Sequence, residues 1–311
     1  MKALVTGAAG FIGSQLCRAL LERGDEVTGI DCFTDYYDPA IKRARVKKLS
    51  SHPGFQLVEA DLANTDLRRL LDGVGVVFHL AAQAGVRASW GDDFSLYLDR
   101  NLLATQRILE AMKTAPNRLV FASSSSVYGD AATLPTPETT ERSPLSPYGM
   151  TKAACEDMLR IYGKAHGLPW VALRYFTVYG PGQRPDMAFH KLITAALLGE
   201  EFTVYGDGTQ QRDVTFVGDI VSATIAAATA PAAPFEAINV GRGEMVTLGE
   251  VLDYVSSFAA KGFRLVYSAF QSGDARATGA SIEKARRLLN YTPTVSWRDG
   301  IDMQREEIQR R

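Results

Sequence analysis

Residues 2–13, Lys-Ala-Leu-Val-Thr-Gly-Ala-Ala-Gly-Phe-Ile-Gly, decide the fold of this chain. The short apolar run that ends at Thr6 predicts a β-strand, and the apolar spacing that continues through Leu20 predicts a helix. The glycines between them allow a tight turn and let backbone N–H groups at the start of the helix approach a pyrophosphate. Their spacing, Gly-x-x-Gly-x-x-Gly, meets the common Gly-x-Gly-x-x-Gly fingerprint only approximately. Strand, glycine turn and helix in this order predict a dinucleotide-binding unit.

A second predicted strand, residues 26–30, is followed by Asp31. Dinucleotide-binding units carry an acid at about this place, where it binds the ribose hydroxyls of adenosine. A carboxylate here would repel a 2′-phosphate, so Asp31 favours NAD as the cofactor. The basic run of Lys42, Arg43 and Arg45 leaves NADP open as an alternative.

Composition and charge narrow the class of protein. The chain has 311 residues, of which 46% are hydrophobic, so it can bury a large core in one big domain or two modest ones. A net charge of −1 gives no electrostatic case for nucleic acid or an anionic membrane as partner. Cys17, Cys32 and Cys155 are scattered without metal-site spacing, which suggests a reducing compartment and no metal. No apolar run reaches about 18 residues, and the N-terminus enters a core strand directly, so we expect a cytoplasmic protein without a signal peptide.

Strands and helices alternate over the first two thirds of the chain. This order predicts an α/β, Rossmann-like, doubly wound parallel sheet. Further strands are expected at residues 55–59, 75–80, 118–122 and 170–174, and helices up to about residue 49 and over residues 94–113 and 147–166. We expect residues 1–175, joined by residues 211–240, to form the NAD-binding domain. Residues 176–311 would mainly form a smaller mixed α/β substrate lobe.

Polar and small residues follow several predicted strands. Ligands bind at the carboxyl ends of strands in open parallel sheets, so these residues are expected to line a cleft. Asp61 either meets an adenine edge there or caps a helix from Asn64. The small residues 81–85 would let a flat ligand lie against the backbone. The four serines at 123–126 would place their hydroxyls in the cleft.

Tyr148 and Lys152 are four residues apart in the segment Leu-Ser-Pro-Tyr-Gly-Met-Thr-Lys, residues 145–152. Ser146 suits an N-cap and Pro147 the first helical position, so both side chains are expected on one face of a helix. The helix N-terminus and the neighbouring ammonium both favour a phenolate. Tyr148 is therefore expected to act as a base near neutral pH.

Taken together, the glycine turn, the serines followed by Val127-Tyr128-Gly129, the Tyr148/Lys152 pair and Arg174-Tyr175-Phe176 resemble the extended short-chain dehydrogenase/reductase family, the NAD-dependent epimerases and dehydratases of nucleotide sugars. The resemblance covers essentially the whole chain. It implies that Tyr148 is the base, that Lys152 binds the nicotinamide ribose, and that Ser124 shares the proton of the substrate hydroxyl. It also implies a homodimer. The cofactor contacts that it implies are Gly7, Gly10, Phe11, Ile12, Gly13, Asp31, Asp61, Leu62, Leu80, Ala81, Ala82, Asn101, Tyr148, Lys152 and Tyr175.

Ser125 and Ser126 distinguish between the chemistries of this family. Dehydratases that resemble the chain carry Asp and Glu at these positions, and a Glu also occurs there in UDP-glucuronate decarboxylases. A serine hydroxyl is not a proton donor of carboxylic strength, so elimination and decarboxylation are disfavoured. Removal and return of a hydride remain, which is NAD-dependent 4-epimerisation through a 4-keto intermediate.

The segment from Thr177 to Met187 is similar to that of the UDP-glucuronate 4-epimerases, as are residues 35–38 and 79–87. The UDP-glucose 4-epimerases have an Asn in place of Thr177. Hydroxyls of Ser125, Ser126 and Thr177 would bind the C6 carboxylate of a UDP-hexuronic acid, with Arg184 or Arg87 as countercharge. Arg184 could instead be a surface residue of a Pro/Gly loop.

The resemblance places the nucleotide in the last third of the chain. It implies that Arg212 contacts the diphosphate, Tyr205 lies along the uracil pocket, and Asp274 meets the uridine ribose. Gln271 replaces an arginine of the glucose epimerases, which removes one phosphate contact. The alternatives are a UDP-glucose 4-epimerase, a UDP-glucuronate decarboxylase, and a non-catalytic module that binds nucleotide sugars.

Overall fold

A parallel sheet of seven strands forms the centre of the molecule. The computed structural model describes residues 1–113, 118–270 and 275–310. Its strands are β1 (Lys2–Thr6), β2 (Glu26–Asp31), β3 (Phe55–Glu59), β4 (Val76–His79), β5 (Arg118–Ser124), β6 (Trp170–Tyr175), β7 (Thr177–Tyr179), β8 (Glu201–Tyr205), β9 (Gln211–Phe216), β10 (Glu236–Val240), β11 (Met245–Thr247), β12 (Arg264–Ser268) and β13 (Ala277–Thr278).

The strands are connected mostly by helices, which is what parallel pairing requires. The helices are α1 (Phe11–Glu22), α2 (Pro39–Leu49), α3 (Leu67–Leu70), α4 (Phe94–Tyr97), α5 (Ala104–Met112), α6 (Pro147–His166), α7 (Ala188–Leu198), α8 (Val217–Thr229), α9 (Leu248–Ser256), α10 (Glu283–Leu289) and α11 (Trp297–Gln309). In the described part of the chain, no helix combines the length and apolar character needed to span a membrane.

The strand order in the large sheet is β10-β6-β5-β4-β1-β2-β3, and every neighbouring pair is parallel. Residues of α1, α8 and α10 pack in one apolar cluster, and residues of α3, α5 and α6 pack in another. Such clusters on the two faces are typical of a doubly wound sheet. This confirms the predicted Rossmann-like fold with a smaller C-terminal lobe.

The C-terminal lobe has its own apolar cluster, formed by residues of α7, α9 and α11 with strands β8 and β9. Strand β9 pairs with β11, β13 and β7, and β12 pairs with β8. Strand β10 lies in sequence between strands of this lobe, but it pairs with β6 in the large sheet. The proposed division at residue 175, with residues 211–240 returning, stays a prediction, and this pairing is consistent with it.

One helix matches its expected extent but contains an unexpected π-helical turn, and another begins later than expected. The helix expected over residues 94–113 is interrupted by a π-helical turn at Leu98–Leu103, where the carbonyl oxygen of Asn101 accepts hydrogen bonds from the Thr105 hydroxyl and the Cys155 thiol. The helix expected from Asn64 begins only at Leu67, because Asp66 caps it. Asp61 instead accepts a hydrogen bond from the N–H of Ala63 within a tight turn.

Candidate active site

A cleft of about 430 Å³ opens where the strands of the large sheet end. Almost all of the cofactor contacts expected from the sequence line it: Gly7, Gly10, Phe11, Ile12, Gly13, Asp31, Asp61, Leu62, Leu80, Ala81, Ala82, Tyr148, Lys152 and Tyr175. Ser124, Ser125, Ser126, Thr177 and Arg184, expected at the substrate, line it as well. The sheet therefore brings residues from distant parts of the sequence into one site.

The glycine turn is shaped for the close approach of a ligand to the backbone. Gly7 has φ +71°, a left-handed conformation that side chains disfavour. A Cβ atom on Gly13 would overlap the carbonyl oxygen of Gly7. Gly10 caps α1 without a side-chain hydrogen bond, so the first N–H groups of the helix stay available for an anion. These features fit the pyrophosphate of a dinucleotide.

Asp31 stabilises the same turn from the end of β2. Its carboxylate accepts hydrogen bonds from the N–H groups of Ala9, at 3.1 Å, and Phe33, at 2.8 Å. Two of the three basic residues that left NADP open are engaged away from Asp31, whereas the ammonium of Lys42 lies 3.9 Å from the Asp31 carboxylate. Lys42 donates to Thr34, Arg43 pairs with Glu59, and Arg45 donates to the carbonyl oxygens of Ala9 and Gly182. The arrangement favours a ribose diol over a 2′-phosphate.

Tyr148 lies in the first turn of α6, which begins at Pro147 with Ser146 as its N-cap. The Ser146 hydroxyl accepts a hydrogen bond from the N–H of Gly149 at 3.1 Å. Burial raises the pKa of the Tyr148 phenol, and a hydrogen bond with Ser124 and the positive charge of Arg184 lower it by less. The expected ionisation near neutral pH is therefore not met in the protein alone, because loss of hydration outweighs the favourable charges.

Lys152 also differs from the expectation. The residue is 3% exposed, and its ammonium donates to the carbonyl oxygen of Ala122 at 2.8 Å, above the ring of Phe121. Burial lowers the pKa of Lys152 to about 8. In this structure the cation that lowers the pKa of the Tyr148 phenol is Arg184, which the sequence analysis assigned only to the substrate.

The part of the cleft near Tyr148 is lined by hydroxyl groups. Ser124 donates a hydrogen bond to the Ser126 hydroxyl at 3.1 Å and accepts one from the Ser126 N–H. Among the described residues that line the cleft, the only carboxylates are Asp31 and Asp61. Asp31 ends β2 and Asp61 follows β3, at the opposite side of the sheet from β5 and Ser124. Among the described residues that line the cleft, none with a carboxylic acid therefore lies beside Tyr148.

Asn101 is 2% exposed and does not line the cleft. Its amide accepts from the N–H of Gln83 and donates to the Gln83 carbonyl and to the Thr151 hydroxyl, which itself donates to the Tyr148 carbonyl. Asn101 thus connects the π-helical turn with residues 81–85 and the start of α6. The direct contact with the cofactor expected for Asn101 stays a prediction, and in this structure its side chain joins these segments.

Buried polar groups that sequence reasoning missed support the ends of β1 and β4. The Thr6 hydroxyl bonds Nδ1 of His79 at 2.8 Å and accepts from the N–H of Ala81. Burial and the charge of Lys152 lower the pKa of His79 to about 3, so the ring is neutral. A β-branched polar residue before the glycine turn and a histidine ending an apolar strand were the available sequence signals.

A buried ion pair supports the serine strand end. The guanidinium of Arg174 binds both carboxylate oxygens of Glu156, at 2.9 and 2.7 Å, and donates to the Tyr128 hydroxyl. The Ser123 hydroxyl donates to Glu156 at 2.6 Å. Because Ser123 precedes Ser124 and Glu156 lies one helical turn after Lys152, this network fixes β5 against α6.

Arg184 forms a second ion pair at the cleft. Its Nε and Nη2 donate to the two carboxylate oxygens of Asp186, each at 2.9 Å. The guanidinium carbon lies 5.6 Å from the centre of the Tyr36 ring, which also lines the cleft. Arg184 is thus part of the cleft rather than a free surface residue. Asp186 and Tyr36 were missed as site residues, although both belong to segments that the sequence analysis singled out.

Tyr205 and Arg212, expected at the nucleotide, do not belong to the described lining of the cleft, and neither does Arg87, the alternative countercharge for the carboxylate. The guanidinium of Arg87 lies 4.5 Å from the centre of the Tyr205 ring. Arg212 donates to the carbonyl oxygens of Ala275 and Arg276, and its contact with the diphosphate stays a prediction. Gln271 and Asp274 lie outside the described residues.

Comparisons with known proteins agree with this geometry. The sequence profile of the NAD dependent epimerase/dehydratase family matches residues 3–241. A Bacillus subtilis protein named "Uncharacterized UDP-glucose epimerase YtcB" is 43% identical over 97% of this chain and 96% of its own. A UDP-glucuronate 4-epimerase from Thermodesulfobacterium geofontis is 36% identical over 96% of this chain and 93% of its own. The crystal structure of UDP-glucuronic acid 4-epimerase from Bacillus cereus, in complex with UDP-glucuronic acid and NAD, superposes with a TM-score of 0.96 at 42% identity, covering 100% of this chain and 99% of that one.

Proposed function

Because this chain belongs to the NAD-dependent epimerase/dehydratase family, we propose that it is an NAD-dependent isomerase that inverts C4 of a UDP-hexuronic acid. The reaction converts UDP-glucuronate to UDP-galacturonate through a 4-keto sugar. The similarity to proteins named UDP-glucuronate 4-epimerase, one of them in complex with UDP-glucuronic acid and NAD, supports both the substrate class and the cofactor.

The observation that carries the proposal is the chemistry of the cleft beside Tyr148. Ser124, Ser125, Ser126 and Thr177 offer hydroxyls, and the only lining carboxylates among the described residues lie across the sheet at β2 and β3. Elimination of water from the sugar and protonation of a carbanion both need a positioned acid. Inversion at C4 needs only one proton acceptor and a hydride acceptor, which this cleft can provide.

The residues of the chain divide the work as follows. Tyr148, hydrogen-bonded to Ser124, takes the proton of the 4-hydroxyl and later returns it. The ammonium of Lys152 donates a hydrogen bond to the carbonyl oxygen of Ala122 at the end of β5, and it is placed to bind the nicotinamide ribose. Bound NAD⁺ would supply the hydride acceptor for C4 and a positive charge beside the phenol. The small residues Ala81 and Ala82 leave room for the nicotinamide against the backbone.

The C6 carboxylate of the substrate needs hydrogen-bond donors, but a carboxylic acid beside it would favour loss of CO₂. A 4-ketone and a C6 carboxylate together form a β-keto acid, which loses CO₂ when the C5–C6 bond breaks and its electrons pass to the ketone oxygen. Hydroxyls of Ser125, Ser126 and Thr177, with the guanidinium of Arg184, would hold the carboxylate. The missing carboxylic acid leaves the resulting enolate without a proton donor.

Substitution of Ser126 tests this account of the missing acid. Ser126→Glu places a carboxylic acid beside Tyr148, so we expect the fraction of UDP-pentose and CO₂ to rise above the wild-type background. Ser126→Gln, which has the same length without acidity, serves as the control. An unchanged pentose fraction in Ser126→Glu would show that missing carboxylates do not suppress decarboxylation.

The substrate assignment is tested by parallel assays of purified protein with UDP-glucuronate and UDP-glucose. We expect conversion of UDP-glucuronate to UDP-galacturonate, and at least about tenfold lower kcat/KM for UDP-glucose, because a site built for a polar group rejects an analogue that lacks it. Equal or better inversion of UDP-glucose would contradict the assignment.

UDP-glucose 4-epimerisation is the second candidate. The name of the Bacillus subtilis relative favours it, as does the pairing of Arg184 with Asp186, which partly neutralises the cation at the cleft. The same assays separate the two. Released CO₂ would identify a decarboxylase, and transient NADH absorbance after addition of UDP-sugar would exclude a pure binding module.

We also propose a cytoplasmic homodimer with residues 1–175 and 211–240 as the NAD-binding domain. The three cysteines are free thiols, which suits a reducing compartment. Leu98 and Leu103 on the π-helical turn and Met150 and Ile161 on the neighbouring α6 are exposed apolar side chains. An apolar patch on adjacent helices is typical of a protein interface.

A further inference from the structure

Arg184 is anchored before any sugar enters the cleft. Asp186 binds its Nε and Nη2 atoms at 2.9 Å each, and the exposed fractions of the two side chains are 19% and 32%. Only Pro185, whose φ is fixed by its ring, separates the two residues. Asp186 does not belong to the described lining of the cleft. The carboxylate therefore acts on the guanidinium from outside the site.

Tyr36 supports the guanidinium from the cleft. Its ring centre lies 5.6 Å from the guanidinium carbon of Arg184, within the range of a cation–π contact. The Tyr36 hydroxyl occupies space beside Gly85, where a Cβ atom would overlap it, and Gly85 has φ +110°. The segment Asp-Tyr-Tyr-Asp at 35–38 thus places the Tyr36 ring between Arg184 and Gly85.

The pairing leaves part of the guanidinium for a ligand. A guanidinium carries five N–H donors in a rigid fork. Nε and one hydrogen of Nη2 serve Asp186, so both hydrogens of Nη1 and the second of Nη2 remain on the other edge. That edge can bind a second carboxylate with two parallel hydrogen bonds. Thr177, Ser125 and Ser126 line the same cleft.

We propose that Asp186 is a positioning residue that fixes the free edge of Arg184 for the C6 carboxylate of the substrate, and that it thereby sets the preference for hexuronic acids over neutral hexoses. This inference rests on the proposed function. Asp186 acts through Arg184 and does not itself touch the sugar.

Loss of Asp186 has two opposite effects on an anionic ligand. It removes a negative charge that repels the substrate carboxylate, which favours binding. It also leaves the long side chain of Arg184 mobile, so the carboxylate is held less firmly in place. A misplaced carboxylate turns C4 away from the geometry of reaction, and a small misplacement is costly for rate. The positioning role therefore predicts a loss in kcat, with KM for the uronic acid unchanged or lower.

The experiment compares Asp186→Ala, Asp186→Asn, Arg184→Met and the double variant Arg184→Met/Asp186→Ala on UDP-glucuronate and UDP-glucose. Glu59→Ala is the matched control, because Glu59 also accepts two hydrogen bonds from one guanidinium, from Nη1 and Nη2 of Arg43 at the surface, and does not line the cleft. Affinity for UDP-glucuronate is measured in parallel by calorimetry, and Tm establishes that each variant is folded.

We expect Asp186→Ala and Asp186→Asn to lower kcat for UDP-glucuronate by about tenfold or more, as misplacement of a reacting group does. Turnover of UDP-glucose should change by less than about twofold, and Glu59→Ala should match wild type. In the Arg184→Met background, Asp186→Ala should have no further effect, since a residue that acts through another is not additive with it.

Equal losses on both substrates, or additive losses in the double variant, would overturn the positioning role. Wild-type rates on UDP-glucuronate for Asp186→Ala would overturn it as well. A wild-type protein that does not invert UDP-glucuronate would instead overturn the proposed function, so the two failures are distinguishable.

Discussion

Tyr148 and Ser124 meet in the cleft although 23 residues separate them in sequence, because β5 ends and α6 begins at the same edge of the sheet. The phenol is buried, and its pKa is raised by loss of hydration. Ser124 and Arg184 partly offset this effect. A buried phenol held by one hydroxyl is well placed to exchange a proton with a bound alcohol and poorly placed to exchange it with water.

The first prediction concerns Tyr148→Phe. Removal of the phenolic oxygen should lower kcat by about 10²–10⁴-fold, the usual contribution of a general base, while bound NAD is retained. Kinetics on UDP-glucuronate and the absorbance of bound cofactor check both points. Tyr162→Phe, on the same helix and bonded to Glu110, is the control. Undiminished inversion by Tyr148→Phe would refute the assignment of the base.

The second prediction concerns Lys152, whose ammonium is buried at a cost to stability. A pKa lowered from 10.5 to about 8 corresponds to a penalty of about 3 kcal/mol on the charged form. Lys152→Met removes this penalty and loses one hydrogen bond worth about 1 kcal/mol. We expect the cofactor-free variant to be more stable by about 2 kcal/mol at pH 7, and inactive.

The pH dependence of the free energy of unfolding tests whether burial of the Lys152 charge causes the difference between Lys152→Met and wild type. A lowered pKa in the folded protein means that the wild type gains stability as the pH rises from about 8 to 10.5 and the ammonium loses its proton. The advantage of the variant should therefore shrink over this range in urea titrations. A constant difference across these pH values would show that burial of charge is not its cause.

Individual roles were predictable from sequence where the residue type itself carries the chemistry. Tyr148, Lys152 and the serines were found because a short motif fixed their spacing, and the structure brings them together. Asp186 and Tyr36 were missed because their roles depend on the meeting of two loops. The diphosphate contact expected for Arg212 stays a prediction, and in this structure the backbone carbonyls of residues 275 and 276 accept hydrogen bonds from its guanidinium.

Strand ends and helix starts create the site at the scale of elements. β1 leads into the glycine turn and α1, and the N–H of Ala9 in this turn donates to Asp31 at the end of β2. Position 13 is the tightest point, because a Cβ atom there would meet the backbone of Gly7 rather than a flexible side chain. Close packing of turn and helix leaves no room for adjustment.

The third prediction is a loss of cofactor with Gly13→Ala. The added methyl group must push the turn out of place, so we expect a destabilisation of about 3 kcal/mol or more and no retained NAD. Thermal unfolding and the absorbance of bound cofactor report both effects. Gly75→Ala, where the nearest heavy atom would be 3.7 Å away, is the control. If both variants keep NAD equally, the account of the turn is wrong.

The sequence predicted these strands because their apolar runs and following glycines or polar residues are local patterns. The π-helical turn at Leu98–Leu103 was not predicted, since its hydrogen bonds come from Thr105 and from Cys155 on another helix. Its widened turn carries Asn101 beneath residues 81–85. Tertiary contacts therefore change the regular α-helical repeat of 3.6 residues per turn to a wider π-helical turn at Leu98–Leu103.

At the scale of the molecule, the face formed by the π-helical turn and α6 remains apolar in the single chain. Leu103 is 43% exposed and Ile161 is 56% exposed. Burial of such side chains would contribute free energy in proportion to the apolar area removed from water. A second copy of the chain, placed with the same face, would also lie close to the start of α6 and its Tyr148.

The fourth prediction therefore concerns assembly. Wild type should sediment as a dimer, and Leu103→Glu combined with Ile161→Glu should shift it to monomer, because like charges would be buried in the interface. Analytical ultracentrifugation measures the change. Tyr267→Glu, an equally exposed residue on β12 in the C-terminal lobe, is the control. A monomeric wild type would contradict the prediction.

The position of β10 has a consequence for biosynthesis. This strand covers the edge of β6, yet the ribosome delivers it only after all of residues 176–235. Until then the nascent polypeptide presents a long, unpaired, apolar edge, which is open to annealing with neighbouring chains. Fragments that stop near residue 175 should therefore be captured by chaperones or proteases rather than accumulate as autonomous nucleotide-binding modules.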